Sequence, residues 1–424
     1  KKNGKLKAVT WDIALSHITD KFNSLQYKSS VAAIAGTLSS CETIFLLKNL
    51  LSNLGSEMYD ANQFNYRFDL SSRGNYLFNT TISGIEKADI CLLVGTNPKQ
   101  VSPVLNARIG KMVRSGLLVV GRIGEEDNQS YKITELGKNI EVLEYFNMEK
   151  PKHAKHTNES INCFIKLLSH ACNPMIIVGD QVLKRIDSHA ILSILHKTIQ
   201  KYQIIRNGWN GFNILHGHAS TVGALDLGFT YGKSGDGVNK ILEKTQNGDV
   251  KILYLLGSDD IDMDRIKKDV FVIYQGHHGD SGANRADVIL PEAAYTEQNS
   301  IYVNMEGRPQ YTKAAVPPPG SAKTGIEIIN AVANALGIRL ISDKLHLIRK
   351  EMARQNQVFN FIDKIVPSKF IEFKSKTKLI KKPLEKVSIN YYMTDPISRS
   401  SLTMAKCTKA TQELAVAKLE NRFM

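Results

Sequence analysis

His277 and His278 stand side by side in this 424-residue chain, with Asp280 close behind and Gly276, Gly279 and Gly282 around them. Imidazole and carboxylate are metal ligands. Adjacent histidines can serve one ion only with a third ligand, however, and no HxxxH or HExxH spacing accompanies them. They read as hydrogen-bonded loop histidines. His216 and His218 form a second small cluster of the same kind. Asp259, Asp260, Asp262 and Asp264 imitate a calcium loop but lack its central Gly and distal bidentate Glu. They read as a solvated acidic loop. Gly95-Thr96-Asn97-Pro98 is a strand-to-helix turn of the type that can present backbone amides to an anion. Cys41 opens a helix, where a thiolate can be stabilised, but no acid–base partner follows it; a buried or capping role is expected. The chain contains no complete GxGxxG or GxxxxGK[ST] motif.

The elements that must position these residues follow a strand–turn–helix rhythm. Apolar runs of strand length stop at or just before a glycine: Val31–Ala35 at Gly36, Ile90–Val94 at Gly95 and Leu117–Val120 at Gly121. The rhythm resumes with Met175–Val178 at Gly179, Ile252–Leu256 at Gly257 and Val270–Tyr274 before Gly276. Asp287–Leu290 is a further short strand, closed by Pro291. Helical patterns lie between them, with Thr10, Ser39 or Ser40 as N-caps and Pro103 in a first turn. Further helices are expected over 159–171, 187–203 and 324–336. Alternation of this kind predicts βαβ units and parallel sheets. The expected fold is α/β, with two doubly wound, Rossmann-like lobes at 28–150 and 151–338, a lead-in at 1–27 and a basic carboxyl-terminal arm at 339–424. Asn3-Gly4 signals a turn in the lead-in, and the polar stretch 147–160 reads as a linker between the lobes. In open α/β sheets, ligands bind beyond the carboxyl ends of the strands, where the loop of His277 and His278 falls.

Composition sets outer bounds. Hydrophobic content of 42% and charged content of 23% suit a globular protein with a large core. No run approaches the roughly 20 apolar residues of a membrane span. The first residues lack the apolar centre of a secretory signal. Five cysteines without a CxxC pair point to reduced, mostly buried thiols, and away from an iron–sulfur cluster held by this chain. Net charge is +14, and residues 339–424 carry 18 Lys and Arg against 8 Asp and Glu. Lys374, Lys376, Lys378, Lys381 and Lys382 alternate with apolar residues. This suits an extended arm that lies on another surface with its charges outward. These lysines, together with Arg399, are the candidates for an interface with an acidic neighbour. Phe370 and Phe373 are too few for a base-stacking platform, and nucleic-acid binding is not expected.

Three stretches carry a resemblance. Ala286-Asp287-Val288-Ile289-Leu290-Pro291, Ala293-Ala294-Tyr295-Thr296-Glu297 and Tyr302-Val303-Asn304 with Glu306-Gly307-Arg308 form the first. Tyr274-Gln275-Gly276-His277-His278-Gly279-Asp280 narrows it. The tail, from Tyr391-Tyr392-Met393-Thr394-Asp395-Pro396 through Arg399 to Met404-Ala405-Lys406-Cys407, is the third. Together they resemble the carboxyl-terminal part of the large iron–sulfur subunit of mitochondrial respiratory complex I, a branch of the molybdopterin oxidoreductase superfamily.

The resemblance implies a scaffold in the matrix arm on the mitochondrial inner membrane, without a redox centre of its own. It implies iron–sulfur clusters and FMN in partner chains, and as partners the flavoprotein and other matrix-arm subunits. The cluster-bearing amino-terminal half would be a missing segment or a separate chain. It also implies that Gly95, Thr96, Asn97, Pro98, Gly276, His277, His278 and Asp280 mark a vestigial cofactor crevice, with no cofactor or metal bound. Two rivals stand beside this reading. The first is a working molybdopterin-dependent oxidoreductase of formate dehydrogenase type, which would need a molybdenum ligand such as Cys41 in the first lobe. The second is a basic adaptor for nucleic acid or anionic lipid.

Overall fold

A computed structural model of the chain describes residues 1, 4–125, 129–149, 159–232, 235–385 and 389–423. Asn3, Lys386 and most of the expected linker lie outside the described residues. Strand β1 (Val31–Ala35) is buried at all five positions and runs through Gly36 into a helix, Cys41–Asn53, capped by Ser40. Ser40 Oγ accepts the Thr43 amide at 3.3 Å. A two-residue strand, β2 (Tyr59–Asp60), follows. Next come β3 (Ile90–Val94), β4 (Val119–Ile123), β5 (Thr134–Gly137) and β6 (Pro174–Val178). A small hairpin, β7 (Ile205–Arg206) and β8 (Trp209–Asn210), precedes β9 (Phe212–Ile214). The remaining strands are β10 (Ile252–Leu256), β11 (Phe271–Gly276), β12 (Val288–Pro291), and the hairpin β13 (Ser300–Val303) with β14 (Pro309–Thr312).

Two five-stranded sheets result, with orders β12-β11-β10-β1-β2 and β5-β4-β3-β6-β9. Every pairing within them is parallel. β1, β3, β6 and β10 are buried along their whole length, because helices cover both faces of a parallel sheet. The α/β expectation holds, but the lobes do not divide the chain in sequence. β1 pairs with β10, and β3 with β6. The second sheet is therefore inserted between two portions of the first, and a boundary at 150/151 would cut it. Local strand patterns carry no information on which strand will be the neighbour.

The terminal segments also join the body. Ala14, Ile18 and Phe22 of the helix Trp11–Asn23 are buried in the main core, so 1–27 is more than a lead-in. The helix Leu345–Gln355 buries Ile348 and Met352 in the same core. There Arg349 meets Glu42 at 2.8 Å, and Glu42 also accepts the Ile301 amide. Beyond these segments comes a 3-10 turn, Gln357–Asn360; residues 364–385 then run without helix or strand, and the tail ends in a helix, Leu402–Phe423, with no apolar stripe to announce it in the sequence.

The helix Gly325–Ala335 starts with a reciprocal cap. Thr324 Oγ1 accepts the Glu327 amide at 3.4 Å, and the Thr324 amide donates to Glu327 Oε2 at 2.8 Å. Thr324→Ala should lower stability by about 1 kcal/mol. An unchanged denaturation midpoint would show that packing alone holds this end.

Candidate functional site

The carboxyl ends of both sheets face one crevice. From the first sheet come the turns after β1, β10 and β11; from the second, those after β3, β6 and β9. Glycine lets these turns touch. A Cβ on Gly36 would lie 1.8 Å from the Gly257 carbonyl oxygen, and one on Gly179 would lie 2.3 Å from Thr96 Cβ. Gly95 has φ +57° and lies against Val182, so the close approach at Gly95-Thr96-Asn97-Pro98 is to the chain itself. Asn97 caps the short helix Pro98–Val101 and accepts Gln129 Nε2 at 2.7 Å. Thr96 Oγ1 and Gln181 Oε1 lie buried at this turn without a hydrogen-bond partner among the described residues.

His277 and His278 face each other through their Nδ1 atoms at 3.0 Å. Burial and the neighbouring His278 ring push His277 below the usual histidine range. Among the described residues no group of three His, Cys, Asp or Glu side chains is arranged to hold a metal. His216 donates to the Tyr76 carbonyl and His218 stacks on Phe64 at 4.4 Å. Burial lowers both to about 4, so both are neutral at pH 7. The two histidine pairs are not brought together in one cluster.

The acidic loop is solvated only in part: Asp262 and Asp264 are exposed, as its composition suggests, but Asp259 and Asp260 are not. Asp259 is buried and accepts the Tyr274 hydroxyl at 2.6 Å and the amides of Asp280 and Gly282 at 2.9 and 2.8 Å. Burial pushes it above the usual carboxylate range against those hydrogen bonds. Asp280 caps the helix Ser281–Arg285. Burial works to raise Asp280 too, but the hydrogen bond from Arg399 holds it below the usual range.

Arg399, expected at an interface, is used internally. Its guanidinium binds Asp280 through Nε and Asp260 through Nη1, the latter at 2.9 Å. The tail that carries it lies in the crevice. Asn390, Met393 and Asp395 line a cavity of about 490 Å³, together with Thr37, Phe64, Tyr66, Asp180, Lys184 and His218. Pro396 lines a second space of only about 20 Å³ beside Gly276, His277, His278 and Glu292. This contribution of the tail was not read from the sequence. The motif was seen, but nothing local in it says what it covers.

The basic arm likewise lies on the body of its own chain. The Ile371 amide donates to Asn75, the Ile380 amide to Asp187 and the Leu384 amide to the Lys138 carbonyl. Phe370 and Phe373 pack on Phe212 and His196. Lys374, Lys376, Lys378, Lys381 and Lys382 point to solvent, and Lys381 meets Glu141 at 3.2 Å. Of the cysteines, Cys41 and Cys91 are buried, Cys163 and Cys172 are exposed, and Cys407 is intermediate. The exposed pair departs from the expectation of mostly buried thiols. Cys41 Sγ packs against Gly223, and burial raises its pKa well above the usual thiol range.

A molybdopterin nucleotide does not fit beside His277 and His278, although the neighbouring cavity at Phe64, Asp180 and His218 measures about 490 Å³. At the histidine end the remaining space admits a single water at most. The tail lines the approach, and the Cys41 thiol is enclosed, with its pKa held well above the usual thiol range by burial.

A family model described as molybdopterin oxidoreductase matches residues 1–335. A second, for the carboxyl-terminal part of the G subunit of NADH-ubiquinone oxidoreductase, matches residues 367–407. The G subunit of NADH-quinone oxidoreductase from Rickettsia bellii is 49% identical over 415 residues, covering 98% of this chain and 57% of that protein. The mitochondrial NADH-ubiquinone oxidoreductase 78 kDa subunit of Candida albicans is 39% identical over 421 residues, covering 96% and 55%. The 75 kDa subunit of Reclinomonas americana is 38% identical over 430 residues, covering 96% and 59%. The chain thus spans little more than half the length of these curated relatives. Among solved structures, a formyltransferase/hydrolase complex from Methylorubrum extorquens matches with a TM-score of 0.58 at 14% identity, over 78% of this chain and 97% of that one. Acetylene hydratase from Pelobacter acetylenicus matches with a TM-score of 0.52 at 12% identity, over 80% and 60%. These two likenesses concern the fold alone.

Proposed function

The chain belongs to the molybdopterin oxidoreductase family, and on that footing we propose that it serves respiratory complex I as the scaffold part of the large iron–sulfur subunit. The observation that carries the reading is the tandem of matches, the oxidoreductase body over 1–335 and the complex I carboxyl-terminal segment over 367–407. In this role the chain holds no redox centre. Iron–sulfur clusters and FMN belong to the partner parts, among them the iron–sulfur half of the subunit and the flavoprotein subunits. The protein sits on the matrix side of the mitochondrial inner membrane, in the peripheral arm. No helix among the described residues is long and apolar enough to cross a membrane. Its contribution to electron transfer from NADH to ubiquinone is positional. Clusters exchange electrons only across short gaps, so elements that fix their spacing fix the rate. Two interleaved parallel sheets with a tail between them suit that task.

The test is native electrophoresis of detergent-solubilised mitochondrial membranes, with an in-gel NADH dehydrogenase stain and mass spectrometry of each band. Co-migration of the chain with the large NADH-oxidising band is expected. Recovery in a smaller band with stoichiometric molybdenum or tungsten would replace this reading with a working molybdopterin enzyme.

A further inference from the structure

We infer that the tail segment 389–399 is an internal ligand of the crevice, closing its histidine end and strapping the two lobes together. Three observations carry this. First, the segment lines both spaces left at the carboxyl ends of the sheets, the larger through Asn390, Met393 and Asp395 and the smaller through Pro396. Second, it is anchored to both lobes. On the side of the first sheet, Arg399 bridges Asp260 after β10 and Asp280 after β11. On the side of the second, the Tyr391 hydroxyl donates to the Lys99 carbonyl, after β3, at 3.0 Å. Third, the segment is internally shaped to be presented there. Asp395 caps the turn 396–399 by accepting the Ile397 and Ser398 amides at 2.9 and 3.0 Å, and Pro396 occupies the first position of that turn.

A charge-assisted contact to two carboxylates at once is stronger and more directional than a neutral hydrogen bond. Arg399 is therefore the latch. With it closed, the histidine end of the crevice admits only a water-sized guest. A nucleotide-sized group can reach His277 and His278 only if the strap leaves.

Hydrogen exchange on the intact chain tests this, with Arg399→Ala and, separately, the Asp260→Asn/Asp280→Asn double variant. In the unaltered protein the amides of residues 397–400 should exchange at least 10-fold more slowly than in an unstructured peptide. Both variants should accelerate them at least 10-fold while global unfolding midpoints stay close to the parent. Tyr391→Phe, on the other lobe, should accelerate the same amides by about threefold, because the strap is held at both ends. Peptide-like exchange in the unaltered chain would overturn the inference. So would protection that survives both latch variants, or a Tyr391→Phe effect confined to its own neighbours. The experiment uses the isolated chain, so its failure is separable from failure to co-migrate with an NADH-oxidising complex.

Discussion

Asp226→Ala should lower the unfolding free energy by about 3 to 5 kcal/mol, the usual cost of breaking a buried ion pair from one side. The Asp226 side chain is 0% exposed and accepts Arg73 Nε and Nη2 at 2.7 and 2.9 Å. The Tyr76 hydroxyl adds a third hydrogen bond at 2.8 Å. Arg73 also donates to the Gly307 carbonyl at 2.8 Å, so one guanidinium ties the segment leading into the second sheet to the turn of the β13–β14 hairpin. Removing the carboxylate leaves a largely buried cation with only that carbonyl. Asp226→Asn keeps the shape and can keep the tyrosine contact, so it should cost less than the alanine change. The measurement is a denaturant titration of the three proteins. A loss under 1 kcal/mol for the alanine variant would mean that water replaces the carboxylate, and that the pair is not a fastening between segments.

The second large effect depends on pH. Glu292 is buried, and burial pushes its carboxyl up to about 7 from an ordinary value of 4.5. Gln275 and Gln298 donate to it at 3.1 and 3.3 Å, which opposes the shift without cancelling it. A carboxyl raised on folding leaves stability intact below the unfolded value. Stability then falls as pH climbs from 4.5, where the unfolded chain ionises first, through about 7, where the folded site follows. The fall attributable to this group is about 3 kcal/mol at full extent. Glu292→Gln cannot ionise. It carries a fixed penalty, because its own amide protons face those of the two glutamines, but that penalty does not titrate. The stability gap between variant and parent should therefore move by about 3 kcal/mol in the variant's favour between pH 4 and pH 8. A gap that stays flat with pH would place the ionisation of Glu292 in the ordinary range and sink the prediction.

Strand positions were legible where burial on both faces writes an uninterrupted apolar run. Val31–Ala35, Ile90–Val94 and Ile252–Leu256 have the bounds that their composition suggests. The Leu117–Val120 run slipped. Leu117 is exposed, and the strand continues through Gly121 to Ile123, because the missing side chain at Gly121 makes room for the Phe164 ring. A glycine that serves packing looks in sequence like a glycine that stops a strand. Tyr59–Asp60, Thr134–Gly137 and Phe212–Ile214 are too short to show any period. At the site, His277 and His278 fell at a strand end as expected, whereas the place of His216 and His218 after Ile214 was not read from the sequence. The roles of Asp259 and Arg399 did not show. Each depends on a partner brought close only by the fold: Asp259 on the amides of the next strand's loop, and Arg399 on two acids more than a hundred residues earlier in the chain.

The insertion of one sheet within the other dictates an order of assembly during synthesis. All strands of the second sheet lie between residues 90 and 214, so it can close as soon as that stretch has left the ribosome. β1, the apolar stretch Val-Ala-Ala-Ile-Ala, has been made long before, yet its partner β10 begins only at Ile252. Non-local pairing of this kind is slow, and it leaves a hydrophobic strand with only the two-residue β2 beside it and its β10 edge open while the chain lengthens. The nascent protein therefore passes through a stage with one finished half and one adhesive, half-built sheet. A chaperone that binds extended apolar segments would find its substrate in residues 31–35, and would have to release it by the time β10 emerges.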